Sequence, residues 1–173
     1  MNTISLNISR RKYVIAMLSI ASFLSITLVA GRIYFTHSLH YAFLIWNLFL
    51  AWIPLYFSNK ISISQESKTS KAAVVGLFFI WLLFFPNSPY ILTDFFHLGP
   101  TRQNVPRWYD LVLIASFAWN GLMAGYISLL DIHKFLNKTF RTSVSWAIVL
   151  FSLILSGFWP SRSRNLPVVL SSL

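Results

Sequence analysis

The chain has 173 residues, of which 56% are hydrophobic, 17% aromatic and only 10% charged, with a net charge of +10 and a mean hydropathy of +0.64. A soluble domain carries about 25% charged residues, so this composition cannot solvate a globule and points to an integral membrane protein. The 14 Lys and Arg fall as small clusters between apolar runs, which is how topology signals are distributed; a nucleic-acid footprint would gather on one face, and nucleic acid is excluded as a partner. With no cysteine, disulfides, thiolate catalysis and Cys-type metal sites are excluded too.

Residues 1–12 form a polar segment ending in Arg10-Arg11-Lys12. The apolar run Tyr13–Gly31 follows, longer than a secretory h-region and without an A-x-A cleavage site, since Leu28 precedes Ala30 by two positions. It reads as an uncleaved signal anchor. A short connection with Arg32, His37 and His40 leads to the second run, Tyr41–Phe57, which at 17 residues is just long enough to span and contains Asn47 and Pro54. Ser58–Lys71 is a polar linker with Lys60, Lys68, Lys71 and the chain's only Glu, Glu66.

The third run, Ala72–Phe85, provides 14 residues, or roughly 21 Å of helix against a hydrocarbon core of roughly 30 Å. Before the core is crossed the chain meets Pro86-Asn87-Ser88-Pro89. Each proline removes a backbone donor and disfavours helix at the residue before it, so a break is expected at Asn87-Ser88. A second helix should restart with Ser88 or Asn87 as N-cap and stop at Gly99-Pro100. With α-helical spacing, Asn87, Tyr90, Asp94 and His97 would share one face.

The fourth run, Trp108–Leu130, opens on Trp108-Tyr109-Asp110 and holds Asn120 and the pair Gly121/Gly125. Such small-residue stripes let helix backbones approach closely. Packing within the chain is preferred to a homo-oligomer or a partner membrane protein docked on this stripe. Asp131–Ser143 is a further polar linker, the fifth run is Val144–Trp159, and residues 160–173 form a short basic tail. The fold class expected is all-α: a polytopic membrane bundle of about five transmembrane helices in one domain, 13–159, with the third helix broken at Pro86-Pro89.

With a cytoplasmic N-terminus the inside segments hold nine Lys and Arg and the outside segments five. That bias places the protein in the cell membrane, multi-pass, with the broken stretch on the extracytoplasmic side. Asn47, Asp94 and Asp110 then reach a similar level, and Asp110 or Asp94 has Arg32, Arg102 or Arg107 as candidate partners. The candidate catalytic residues are Asp94, His97 and Asp110, because a carboxylate beside an imidazole can exchange protons near neutral pH. Asn47, Asn87, Ser88 and Tyr90 are the candidate substrate-binding residues. They fit either a proton-coupled transport component or an enzyme acting on a lipid-linked or periplasmic substrate; a membrane subunit or scaffold is the third reading. No motif calls for a metal or other cofactor, and Ser88 lies in no G-x-S-x-G or S-x-x-K context.

Trp46-Asn47-Leu48-Phe49-Leu50-Ala51-Trp52-Ile53-Pro54, Phe85-Pro86-Asn87-Ser88-Pro89-Tyr90-Ile91-Leu92-Thr93-Asp94-Phe95-Phe96-His97-Leu98 and Trp108-Tyr109-Asp110 together resemble the bacterial membrane-protein family DUF1361, a domain of unknown function. The resemblance covers roughly residues 40 to 157. It implies a multi-span protein of the bacterial inner membrane and no particular activity. Members of that family follow the last shared helix with a Gly-Arg-Phe-x-Arg type segment, whereas here Ser156-Gly157-Phe158 leads into Trp159-Pro160-Ser161-Arg162-Ser163-Arg164. The tail is therefore expected to be a truncated or frame-shifted end.

Overall fold

A computed structural model describes residues 3–64, 70–97, 105–139 and 141–158, the side chains of 3–10, 96–97 and 155–158 excepted. The described residues are helical almost throughout. In order they form α1 (Thr3–Thr36), α2 (Phe43–Ser64), α3 (Lys71–Phe84), the single turn α4 (Asn87–Tyr90), a 3-10 helix (Ile91–His97), α5 (Arg107–Thr139) and α6 (Thr142–Phe158). Among the described residues, three stretches are long and apolar enough to cross a bilayer: Arg11–Thr36, Lys71–Phe95 and Arg107–Thr139. The third span is thus α3 completed by α4 and most of the 3-10 helix, 25 residues in all. At 22 residues α2 has the length of a span, and α6 contributes the shorter apolar segment Thr142–Ile154. The protein is an all-α polytopic membrane bundle of five main helices, the third interrupted at Pro86-Pro89.

Helix α2 is central, packed against α5, α3, α4 and the 3-10 helix, while α1 lies along α5 and α6 along α5 and α4. Near the α1–α2 connection, Leu44, Leu48, Ile91, Leu113 and Phe117 are buried together; near the α2–α3 connection the buried group is Ile61, Trp81, Phe85, Ile132 and Leu136. The outer surface carries Phe23, Phe79, Trp119 and Phe151, each more than half exposed. In lipid such residues need no protein cover, so close packing and interhelical hydrogen bonds hold the bundle together.

The helices outrun the apolar stretches that announce them. Residues expected as a polar N-terminal segment continue α1 back to Thr3, α2 runs on past Phe57 to Ser64, and α5 runs past Leu130 to Thr139. The cause in α2 and α5 is an apolar stripe inside a polar composition: Ile61, Ile132 and Leu136 are buried against Trp81. Pro54 lies within α2 without ending it.

Two ion pairs tie α1 to α5. The Arg11 guanidinium donates Nη1 and Nη2 to the two oxygens of Asp131 at 2.9 and 2.7 Å. The Arg32 guanidinium donates Nε and Nη2 to the two oxygens of Asp110, the latter at 2.9 Å. Arg11 and Arg32 are 21 residues apart, and so are Asp110 and Asp131. Antiparallel helices are thereby fastened at two levels roughly 31 Å apart, about the thickness of a hydrocarbon core.

Candidate functional site

The third span changes its winding at Pro86. The last regular bond of α3 runs from the Phe85 N–H to the Trp81 carbonyl, 2.8 Å. Proline has no N–H to continue the series. The Ser88 N–H then bonds the Phe85 carbonyl at 3.1 Å, one residue short of an α-helical step, and so leaves the Phe84 carbonyl without its usual donor. The side-chain amide of Asn87 fills that vacancy, Nδ2 to Phe84 O at 3.0 Å. Phe85, Pro86 and Ile91 all keep right-handed helical backbone angles. The chain therefore restarts at once, for one α-turn, and then tightens into the 3-10 helix.

That tightening decides which side chains face inward. In a 3-10 helix residues i and i+3 eclipse, so Ile91 and Asp94 stack on one side. Ile91 is fully buried and Asp94 is 2% exposed, whereas Leu92 faces outward. The α-periodic face expected for Asn87, Tyr90, Asp94 and His97 is replaced by this register. Tyr90 accepts at its carbonyl from the Thr93 hydroxyl, 2.8 Å, on the neighbouring strip. The side chain of His97 lies outside the described residues.

Asp94 meets α2 at Asn47, whose Nδ2 donates to the two carboxylate oxygens at 2.9 and 3.2 Å. Ser88, six residues earlier, is fully buried, its hydroxyl donating to the Ala51 carbonyl of α2 at 3.3 Å. The segment comes this close because α5 presents glycine opposite it. A Cβ at Gly125 would lie 2.6 Å from Ser88 Cβ, and one at Gly121 would lie 2.8 Å from Ile91 Cγ2. The Gly121/Gly125 stripe is thus occupied by this chain's own third span.

Asp110 belongs to a different constellation. Besides Arg32 it accepts from the Tyr41 hydroxyl at 3.2 Å, and the Arg32 guanidinium carbon lies 4.5 Å above the Tyr41 ring. Thr36 accepts from Arg32 Nη1 at 3.3 Å. Tyr41 lies in the connection between α1 and α2, and burial first, then the Asp110 charge, push its phenol pKa up, which keeps it a neutral donor. Of the candidates named by sequence, Asn47 and Asp94 come together, the Asn87 side chain serves the backbone at the break, the Ser88 hydroxyl bonds the α2 backbone, and Asp110 is held by Arg32 and Tyr41. His37 and His40 are exposed, His37 closing α1 with a left-handed backbone, φ 50°. Among the described residues no three His, Asp or Glu gather as metal ligands.

Apart from Asn120, whose place beside the glycine stripe already suggests an interhelical hydrogen bond, sequence reasoning missed a polar seam between α1 and its neighbours. The Tyr109 hydroxyl donates to the Leu28 carbonyl at 2.8 Å, close to Gly31, where a Cβ would be 3.3 Å from the phenol oxygen. Asn120 Nδ2 donates to Ser25 at 2.9 Å and the Trp52 indole to Ser22 at 3.2 Å. Within the apolar run Tyr13–Gly31 the serines fall at positions 19, 22 and 25, and the i, i+3 spacing of Ser22 and Ser25 was the signal available.

Residues 46–159 match the model of a family described as "Protein of unknown function (DUF1361)". No curated protein and no solved structure matches the chain.

Proposed function

The chain belongs to the DUF1361 family, and from that premise we propose that it is a multi-pass protein of the cell membrane, N-terminus cytoplasmic, working as a proton-exchanging component of a transport system through Asp94 and Asn47. The observation that carries this reading is a carboxylate 2% exposed on the interrupted span of a membrane bundle, bonded to a side-chain amide of the central helix. Ionisable groups at membrane depth are costly to keep and mark ion or proton pathways. Interrupted spans supply the binding sites of many transporters, and a 3-10 stretch inside a helix is a common hinge. The other two aspartates, Asp110 and Asp131, bond arginines of α1 and tie that helix to α5. An enzyme acting on a lipid-linked substrate would use the same carboxylate as general base.

The orientation rests on the charge bias of the connecting segments. Reporter fusions at Gln65 and at Thr101 are expected to read cytoplasmic and extracytoplasmic respectively; a common compartment for both would overturn the threading.

For Asp94 the test is infrared difference spectroscopy on protein reconstituted in lipid and cycled in pH. A buried carboxyl band that titrates is expected, absent from Asp94→Asn, with membrane insertion and melting temperature retained. Asp94→Asn that inserts poorly or melts far below wild type would make the group a packing element instead. A titrating band unchanged by the substitution would assign the exchange elsewhere.

A further inference from the structure

Among the described residues, the two ends of the bundle differ sharply in exposed cations. At the end where α2 leads to α3 and α5 to α6, Lys12, Lys60, Lys71, Lys134, Lys138 and Arg141 are all exposed. The carboxylate described there, Asp131, is already bonded by Arg11 and by the Ser58 hydroxyl at 3.3 Å. Among the described residues none of these six cations has a carboxylate partner. At the opposite end Arg32 is paired, and Arg107 is the exposed cation described.

The basic groups are densest at the α5–α6 turn. Lys134 and Lys138 are one helical turn apart on α5, and Arg141 follows within the turn itself. Beside them the His133 and Trp146 rings meet with centroids 4.5 Å apart, and Trp146 is 52% exposed. An exposed indole and three cations at the end of a spanning helix match the headgroup level of a bilayer, where indoles favour the boundary and cations reach phosphate. Phe151 and Ile154, farther along α6, present an apolar surface for the acyl chains below.

We propose that the α5–α6 turn, through Lys134, Lys138 and Arg141 with Trp146 beside them, is a binding surface for anionic phospholipid headgroups. The charge complementarity is one-sided, which selects phosphatidylglycerol or cardiolipin over zwitterionic lipid at this end of the bundle. Lys138 also faces the negative end of the α5 dipole, but Arg141 lies beyond the helix and adds charge that the dipole does not call for. The proposal is independent of the role of Asp94.

The full chain in mixed micelles, offered phosphatidylglycerol and phosphatidylcholine in equal amounts, is expected to retain phosphatidylglycerol with a preference on the order of tenfold, read by native mass spectrometry. The preference should shrink as ionic strength rises. Lys134→Gln/Lys138→Gln/Arg141→Gln should bring it close to unity, Lys134→Arg/Lys138→Arg should keep it, and Arg107→Gln at the opposite end should leave it unchanged. Equal retention by wild type, an unaltered preference in the triple variant, or an equal loss in Arg107→Gln would each overturn the proposal. Inorganic phosphate displacing the lipid at matched ionic strength would assign a free-anion site instead and overturn it as well.

Discussion

Replacing Arg32 by leucine is expected to cost about 3–5 kcal/mol of stability, the loss that follows when one partner of a buried ion pair is removed. Arg32 is 5% exposed, and without it the Asp110 carboxylate keeps the Tyr41 hydroxyl but loses two charge-assisted bonds. The measurement is unfolding of the purified protein in mixed micelles by increasing SDS. The double variant Arg32→Leu/Asp110→Leu should recover most of the loss, because two apolar groups leave no charge stranded. A double variant as unstable as the single one would show that the pair does more than neutralise itself. The same substitution at Arg11 should cost less, since 28% of that side chain is exposed and its charge is partly screened by water, although Asp131 is nearly as buried as Asp110.

Gly125→Ala is expected to destabilise by about 1–3 kcal/mol, the usual penalty for overpacking. The added Cβ would stand 2.6 Å from Ser88 Cβ, and a Cβ cannot swing aside as the far end of a long side chain can. Something larger must give, either the seat of the third span on α5 or the Ser88 contact with Ala51. Ser88→Gly in the same molecule removes the opposing atom and should restore part of the stability, read by the same unfolding titration. If Gly125→Ala melts like wild type, or if Ser88→Gly adds its own loss without compensation, then the two residues are not in the close contact described. Gly125→Leu should prevent folding altogether, which makes the alanine variant the informative one.

The apolar runs and the prolines made the number of helices and the place of the interruption legible in sequence, because both follow from local chemistry. Asn87 was visible as a break residue, though its service to the Phe84 carbonyl depends on how the turn tightens. The winding after Tyr90 was not legible: α and 3-10 differ by one residue in hydrogen-bond step, and the choice rests on Ile91 and Ser88 fitting over Gly121 and Gly125. That fit joins residues thirty or more positions apart. The linkers misled for a related reason. Asp131 makes the end of α5 look polar, yet Arg11, from the far end of the chain, neutralises it while Ile132 and Leu136 pack inward. Arg32 was one of three candidate partners for an outer aspartate, and only the antiparallel register of α1 and α5 singles out its pairing with Asp110.

The equal spacing of the two ion pairs restricts how this protein can move. Sliding α1 past α5 by one helical turn, about 5.4 Å, is the ratchet by which one packed element can step past another. Here it would part Arg11 from Asp131 and Arg32 from Asp110 in the same step, since both arginines lie on one helix and both aspartates on the other. Neither pair can be exchanged for the other, because they stand a full membrane's depth apart. Helices α1 and α5 therefore travel as a single stator. Any rearrangement of the bundle would have to keep these two helices in register.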